Sequence, residues 1–166
     1  TPTKSSAASD VYKRQGLQLE RLIFVPSCVG AMEFAISESI KYMKQRKSFG
    51  QTIDKFQAIR HKIASLSSEI ESAKVFGYYC CELYNKNIYD VKLCSMAKLL
   101  VTELHEKVST ECLQFFGGNG FSEEYPLARM YRDCRVGTIG AGTSEIMREI
   151  IAKAVIDDAE FKEVKS

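Results

Sequence analysis

QFFGGNGFSEEYPLARMYRDCRVGTIGAGTSE, residues 114–145, decides how this chain is read. It carries six of the ten glycines, in two clusters: Gly117, Gly118 and Gly120, then Gly137, Gly140 and Gly142. Glycine turns the backbone with φ > 0 and lets it approach a ligand closely. Long stretches with a helical period precede this segment, and a shorter one follows. The two glycine clusters are therefore where backbone is shaped for something other than packing, and the helices are the frame that holds them.

Upstream, Leu22, Val25, Val29, Met32, Ile36, Ile40 and Met43 step by three or four, predicting a helix of about seven turns. Pro26 is expected near its start, where proline is tolerated. Lys44, Arg46 and Lys47 suit a helix C-terminus, and Gly50 is expected to close it. A second helix is marked by Phe56, Ile59, Ile63, Leu66, Ile70 and Ala73 and runs toward Leu83, with Asp54 as its N-cap and a break at Asn85 to Asn87. Asp90 caps a third, marked by Cys94, Ala97, Val101, Leu104, Val108, Cys112 and Phe115. Pro126 opens a short helix to about Arg135. Thr143 or Ser144 caps a last one bearing Ile146, Ile150 and Ala154, with Glu145 in its first turn. No strand pattern competes. Short polar links make neighbours antiparallel, so the expectation is an all-α, up-down four-helix-bundle-like domain.

The first fifteen residues, TPTKSSAASDVYKRQ, are polar, Ser-rich and without a period, and lack the apolar core of a secretory signal. SSAASDVYKRQ also resembles translated sequencing-adapter read-through. The expectation is a non-native tail over 1–15 and a helical domain over 16–166, whose native sequence begins mid-protein.

Composition narrows the function classes. A chain of 166 residues, 45% hydrophobic and 27% charged, can bury one real core. A net charge of +2 without a basic stripe argues against a nucleic-acid binder. No apolar run approaches the roughly 20 residues that span a bilayer. The six cysteines, with no C-x-x-C pair, read as small core hydrophobes in a reducing compartment. His61 and His105 lack ligand spacing, which argues against zinc.

Three features can bear chemistry. The second glycine loop runs into a helix N-terminus, which is either an anion site or a plain capped turn. Arg46 beside Phe49 and Gly50 can hold a phosphate and stack a ring, or be a solvated helix end. Glu20, a lone acid among apolar residues, is either a first-turn carboxylate favoured by the helix dipole or a partly desolvated general base.

Three stretches carry a family resemblance: QRKSFGQTIDKFQAI (45–59), QFFGGNGFSEEYPLARMYRD (114–133) and IGAGTSEI (139–146). In this order and spacing they resemble the C-terminal helical domain of the acyl-CoA dehydrogenases, from about Gly16 to the end. The resemblance implies FAD bound between domains and across a subunit interface of a dimer-of-dimers homo-oligomer, with an N-terminal helical and a middle β domain outside this stretch. It implies that Arg46, Ser48 and Phe49 meet the cofactor of a neighbouring subunit. Phe56, Gln57, Gln114, Gly117 and Gly118 are further FAD contacts, and Thr143, Ser144 and Glu145 hold FAD from the other side.

Many members carry the catalytic glutamate just before the Gly-Thr of the last loop, where this chain has Ala141. Isovaleryl-CoA and long-chain enzymes supply it instead from the first helix, as Glu-Arg before an apolar run. LQLERLIF puts Glu20 at that position. By the same resemblance Gln18, Arg21, Ala141 and Gly142 contact substrate, and Gly140 leaves room for branched or long acyl groups. The implied reaction is α,β-dehydrogenation of an acyl-CoA thioester, with electrons passed to an electron-transfer flavoprotein. The alternatives are an acyl-CoA oxidase-like relative and a non-catalytic helical oligomerisation module. The implied location is the mitochondrial matrix in a eukaryote and the cytoplasm in a bacterium.

Overall fold

The computed structural model describes residues 4–159, with side chains from Gly16 onward. In chain order it has α1 (Lys4–Gln45), β1 (Lys47–Ser48), β2 (Gln51–Thr52), α2 (Gln57–Asn85), α3 (Val91–Phe116), α4 (Pro126–Asp133) and α5 (Ser144–Ile156). Short 3₁₀ turns occupy Ile53–Lys55, Gly117–Phe121 and Cys134–Thr138. The class is all-α, as the periodicity implies.

Helix α3 is the centre, and α1, α2 and α5 all pack against it. Contacts at opposite ends give the directions. Gly77 of α2 lies on Val25 of α1, while Ile59 and Ile63 of α2 meet Ile40 and Met43, so the pair is antiparallel. Lys107 pairs with Glu69 at 2.7 Å and the Cys80 thiol meets the Leu93 carbonyl, so α2 and α3 are antiparallel too. Val25, Val29, Met32, Val101 and Val108 are fully buried along the shared seam. Each such side chain contributes about 1.5–3 kcal/mol.

Gly77 sets the α1–α2 spacing. A Cβ there would stand 2.5 Å from the Val25 Cγ1, and Val25 is buried and stiff at χ1. Gly77→Ala is expected to cost about 1–3 kcal/mol through overpacking, against ~1 kcal/mol gained in helix propensity. A lowered unfolding midpoint checks this; an unchanged or raised one would show that the two helices have slack.

Local expectations differ from the structure at five places. Pro26 stands inside α1 rather than near its start, because the helical backbone reaches back to Lys4. There it forfeits the hydrogen bond to the Leu22 carbonyl. Buried Leu22, Val25 and Val29 hold the helix to the core on both sides of it. That backbone also takes in residues 4–15, read from sequence as an aperiodic tail, whose side chains lie outside the described residues.

Gly50 does not close the helix. α1 ends at Gln45, and KSFGQT forms a two-residue antiparallel ladder with Lys47 opposite Thr52 and Ser48 opposite Gln51. Phe49 and Gly50 both have positive φ, 50° and 81°, as a type I′ hairpin turn requires. Strands this short show no alternation, which hides them from sequence.

Asp54 does not cap α2. It lies in the Ile53–Lys55 turn, and Phe56 holds the N-cap position without a side-chain bond. The fourth helix ends at Asp133 and passes into a 3₁₀ turn rather than running to Arg135. The other caps form as expected: the Asp90 carboxylate accepts from the Leu93 N–H at 2.8 Å and the Thr143 hydroxyl from the Ile146 N–H at 3.3 Å.

The cysteines are all free, and five are buried. Burial pushes the Cys28 and Cys94 thiols up to about 12, so they stay protonated and serve as packing. Among the described residues no cluster of His, Cys, Asp and Glu could hold a metal, and no helix is long and apolar enough to cross a membrane.

Candidate active site

The first glycine turn and the hairpin meet at one end of the bundle. They enclose a cleft of about 360 Å³ lined by Tyr42, Arg46, Ser48, Gln114, Gly117, Gly118 and Asn119, among others. Residues far apart in sequence converge here because α1 and α3 end side by side. Tyr42 stacks on Phe116 with ring centroids 4.1 Å apart, and its hydroxyl donates to the Phe116 carbonyl. The Asn119 amide donates to the Tyr42 hydroxyl at 2.9 Å. Gly117 ends α3 with φ of 57°, which keeps the turn free of a side chain.

Phe49 stands at the hairpin tip, 95% exposed, with Phe56 edge-on at 6.4 Å. Gln57 is the exposed first residue of α2. Arg46 makes no ion pair among the described residues. A free guanidinium, a hydroxyl, an amide, bare glycine backbone and an exposed ring form a donor set that fits the phosphates and flat rings of FAD. Tyr42 and Asn119 escape the sequence reading: Tyr42 lies beside the apolar stripe rather than on it, and Asn119 reads as one more turn residue.

The second cleft, about 160 Å³, opens at the N-terminus of α5 beside Thr143, Ser144 and Glu145. Its walls are two ion pairs, Arg135–Glu106 at 3.1 Å and Arg148–Glu103 at 2.7 Å. The Ser144 hydroxyl is buried without a partner among the described residues. A backbone N–H and then the Thr143 hydroxyl hold the Glu145 carboxyl below the usual range. An unpaired hydroxyl at a helix N-terminus suits an anionic or polar group. Gln114 and Glu103 mark the two clefts on α3, about 16 Å apart at its rise per residue. The sequence-predicted cofactor residues thus fall into two groups within one chain.

The third region is the start of α1. Glu20 is exposed, while Gln18 and Arg21 are only 6% and 7% exposed. Arg21 donates to the Ser95 hydroxyl at 3.4 Å; its Nε and the Gln18 Oε1 find no partner among the described residues. Burial lowers the Arg21 pKa from its ordinary value. Gln18 and Arg21 therefore face the bundle, and Glu20 is solvent-accessible.

One helical turn beyond Glu20, on the same face, Phe24 lies under the second glycine loop. A Cβ at Gly140 would lie 3.4 Å from the Phe24 Cζ, and one at Gly137 3.9 Å from its Cε1. Phe24 thus packs within van der Waals range of the Gly140 position. Ala141 and Gly142 follow with φ of 53° and 101°. For alanine the left-handed region costs about 1–2 kcal/mol. Beneath them Lys98 of α3, fully buried, donates from Nζ to the Gly142 carbonyl at 2.7 Å and sits 5.6 Å from the Phe24 ring centroid. Lys98 is also absent from the sequence reading. Its signal was a charge between Cys94 and Val101 on the apolar stripe.

Fold and clefts define a helix-bundle domain with two polar sites built at its glycine turns. Residues 10–156 match the family described as "Acyl-CoA dehydrogenase, C-terminal domain". The chain belongs to the acyl-CoA dehydrogenase family, whose members are flavoproteins. It is 40% identical over 148 residues to the mitochondrial long-chain specific acyl-CoA dehydrogenase of Mus musculus, covering 89% of this chain and 34% of that one. It is 38% identical over 136 residues to the caffeyl-CoA reductase-Etf complex subunit CarC of Acetobacterium woodii, covering 82% and 36%. The crystal structure of acyl-CoA dehydrogenase from Geobacillus kaustophilus superposes with a TM-score of 0.85 at 36% identity, covering 87% of this chain and 38% of that one. The chain spans about a third of the length of the curated relatives it matches.

Proposed function

We propose that this chain is the C-terminal domain of an FAD-dependent acyl-CoA dehydrogenase in which Glu20 removes the substrate's α-proton. The observation that carries the reading is a pairing. The loop position before Gly142–Thr143 is Ala141, which cannot take a proton, and α1 brings a carboxylate to the face that meets the same loop through Phe24. Glu20 is exposed and open to a substrate lying across the loop. Ala141 and Gly142 line the thioester end. Gln18 and Arg21, assigned by resemblance to substrate contact, back the site from inside the bundle, because adding domains only removes exposed surface.

FAD, when bound, supplies the acceptor for the β-hydride, with onward transfer to an electron-transfer flavoprotein. Arg46, Ser48, Phe49, Phe56, Gln57, Gln114, Gly117 and Gly118 would hold one part of it, and Thr143, Ser144 and Glu145 another. The two groups lie apart on one chain, which favours a homo-oligomer, a dimer of dimers, in which one cofactor meets both by crossing between copies. The electron partner is favoured by the Etf complex named for the Acetobacterium relative, and a long acyl chain by the name of the mouse enzyme. The location would be the mitochondrial matrix in a eukaryote or the cytoplasm in a bacterium.

Anaerobic titration of the full-length enzyme with acyl-CoA thioesters of graded length is expected to bleach the flavin's visible absorption. No bleaching by any of them would reject the reading. Fast peroxide formation under air would move the enzyme to the acyl-CoA oxidases.

A further inference from the structure

Lys98 is the one lysine with no exposed surface among the described residues, and it makes no ion pair there. Its ammonium spends one hydrogen bond on the Gly142 carbonyl and rests near the face of Phe24. The charged groups around it are Arg21 from α1, Glu103 on its own helix and Glu145 from α5, with the neutral Cys28 thiol of α1 beside them; the strongest in effect, Arg21, is of like sign. Burial and then Arg21 lower its pKa. A buried cation of this kind disfavours folding unless it is paired. A methionine of similar length would fill the same space at lower cost.

We propose that Lys98 is a positioning residue: its ammonium clamps the Gly142 carbonyl and so holds the left-handed Ala141–Gly142 turn against Phe24, one helical turn from Glu20. The turn needs such a clamp. Ala141 is in a left-handed conformation that alanine resists. The ammonium fixes the link between the strained turn and the capped start of α5. That the clamp serves proton abstraction rests on the function proposed above; that it holds the turn does not.

The test compares Lys98→Met and Lys98→Arg with the wild-type full-length holoenzyme by hydrogen–deuterium exchange, thermal unfolding and steady-state kinetics. In Lys98→Met, amides of residues 139–146 are expected to exchange at least tenfold faster. Exchange in α2 and the far half of α3 stays as in wild type, and the unfolding midpoint is not lowered. Turnover should fall at least tenfold with KM for acyl-CoA changed less than threefold, and Lys98→Arg should restore part of both the exchange protection and the turnover. Unchanged exchange at 139–146 would overturn the clamp, whatever the enzyme's substrate. So would loss of protection throughout α3 with a lowered midpoint, which would make Lys98 a plain core residue. If the wild type turned over no acyl-CoA, the dehydrogenase reading would fail, and the exchange data would still decide the clamp.

Discussion

Glu20→Gln in the full-length enzyme is expected to lower turnover by about 100- to 10,000-fold, the range lost with a positioned general base. Glutamine keeps the size and polarity of the side chain but cannot accept a proton at neutral pH. Glu20 has no packing role to confuse the result: it is exposed, whereas its neighbours Gln18 and Arg21 are buried. Flavin content and unfolding midpoint should match the wild type, and acyl-CoA should still bind. Turnover within tenfold of wild type, about 1.4 kcal/mol of barrier, would remove Glu20 as the base. The proton acceptor would then have to come from outside this domain, since Ala141 cannot serve.

Arg46→Ala should have the second largest effect, on cofactor retention rather than chemistry. A charge-assisted hydrogen bond is worth about 1.5–3 kcal/mol, so losing one or two to a phosphate weakens FAD binding by roughly 10- to 100-fold or more. The flavin-to-protein ratio after dialysis measures this. The fold should tolerate the change, because the residue is tied in through its backbone: its N–H donates to the Tyr42 carbonyl and its carbonyl accepts from the Ile53 N–H, both at 2.9 Å. Arg46→Lys should fall between the two, keeping the charge and losing the planar fork. Full flavin content in Arg46→Ala would reject the assignment of this cleft.

The frame was legible because long amphipathic helices announce themselves. Met32, Val101 and Val108 are buried as their spacing requires, and Asp90 and Thr143 cap as their type predicts. The hairpin was not legible, since two residues per strand cannot show a period of two. Nor was the placement of Pro26: a proline beside an apolar stripe is ordinarily a helix start, whereas here the helix runs through it with the buried seam on either side. At the site, Arg46, Gln114 and the Gly117–Gly118 turn were singled out from sequence and do share a cleft. Tyr42, Asn119 and Lys98 were not, because each acts through a partner far away in the chain: Phe116, Tyr42 and Gly142. Long-range polar pairing leaves no local periodic mark.

Pro26 has one more consequence. A helix transmits disturbance along its ladder of rungs, and this proline removes the rung at Leu22, two residues beyond Glu20. Unravelling that begins ahead of it meets a ready-made stopping point, and the seam from Val29 to Met43 stays docked on α3. The acid and the structural seam therefore share one helix across a missing rung, and buried Gln18, Arg21 and Leu22 are what keep the acid's own turn anchored to the bundle.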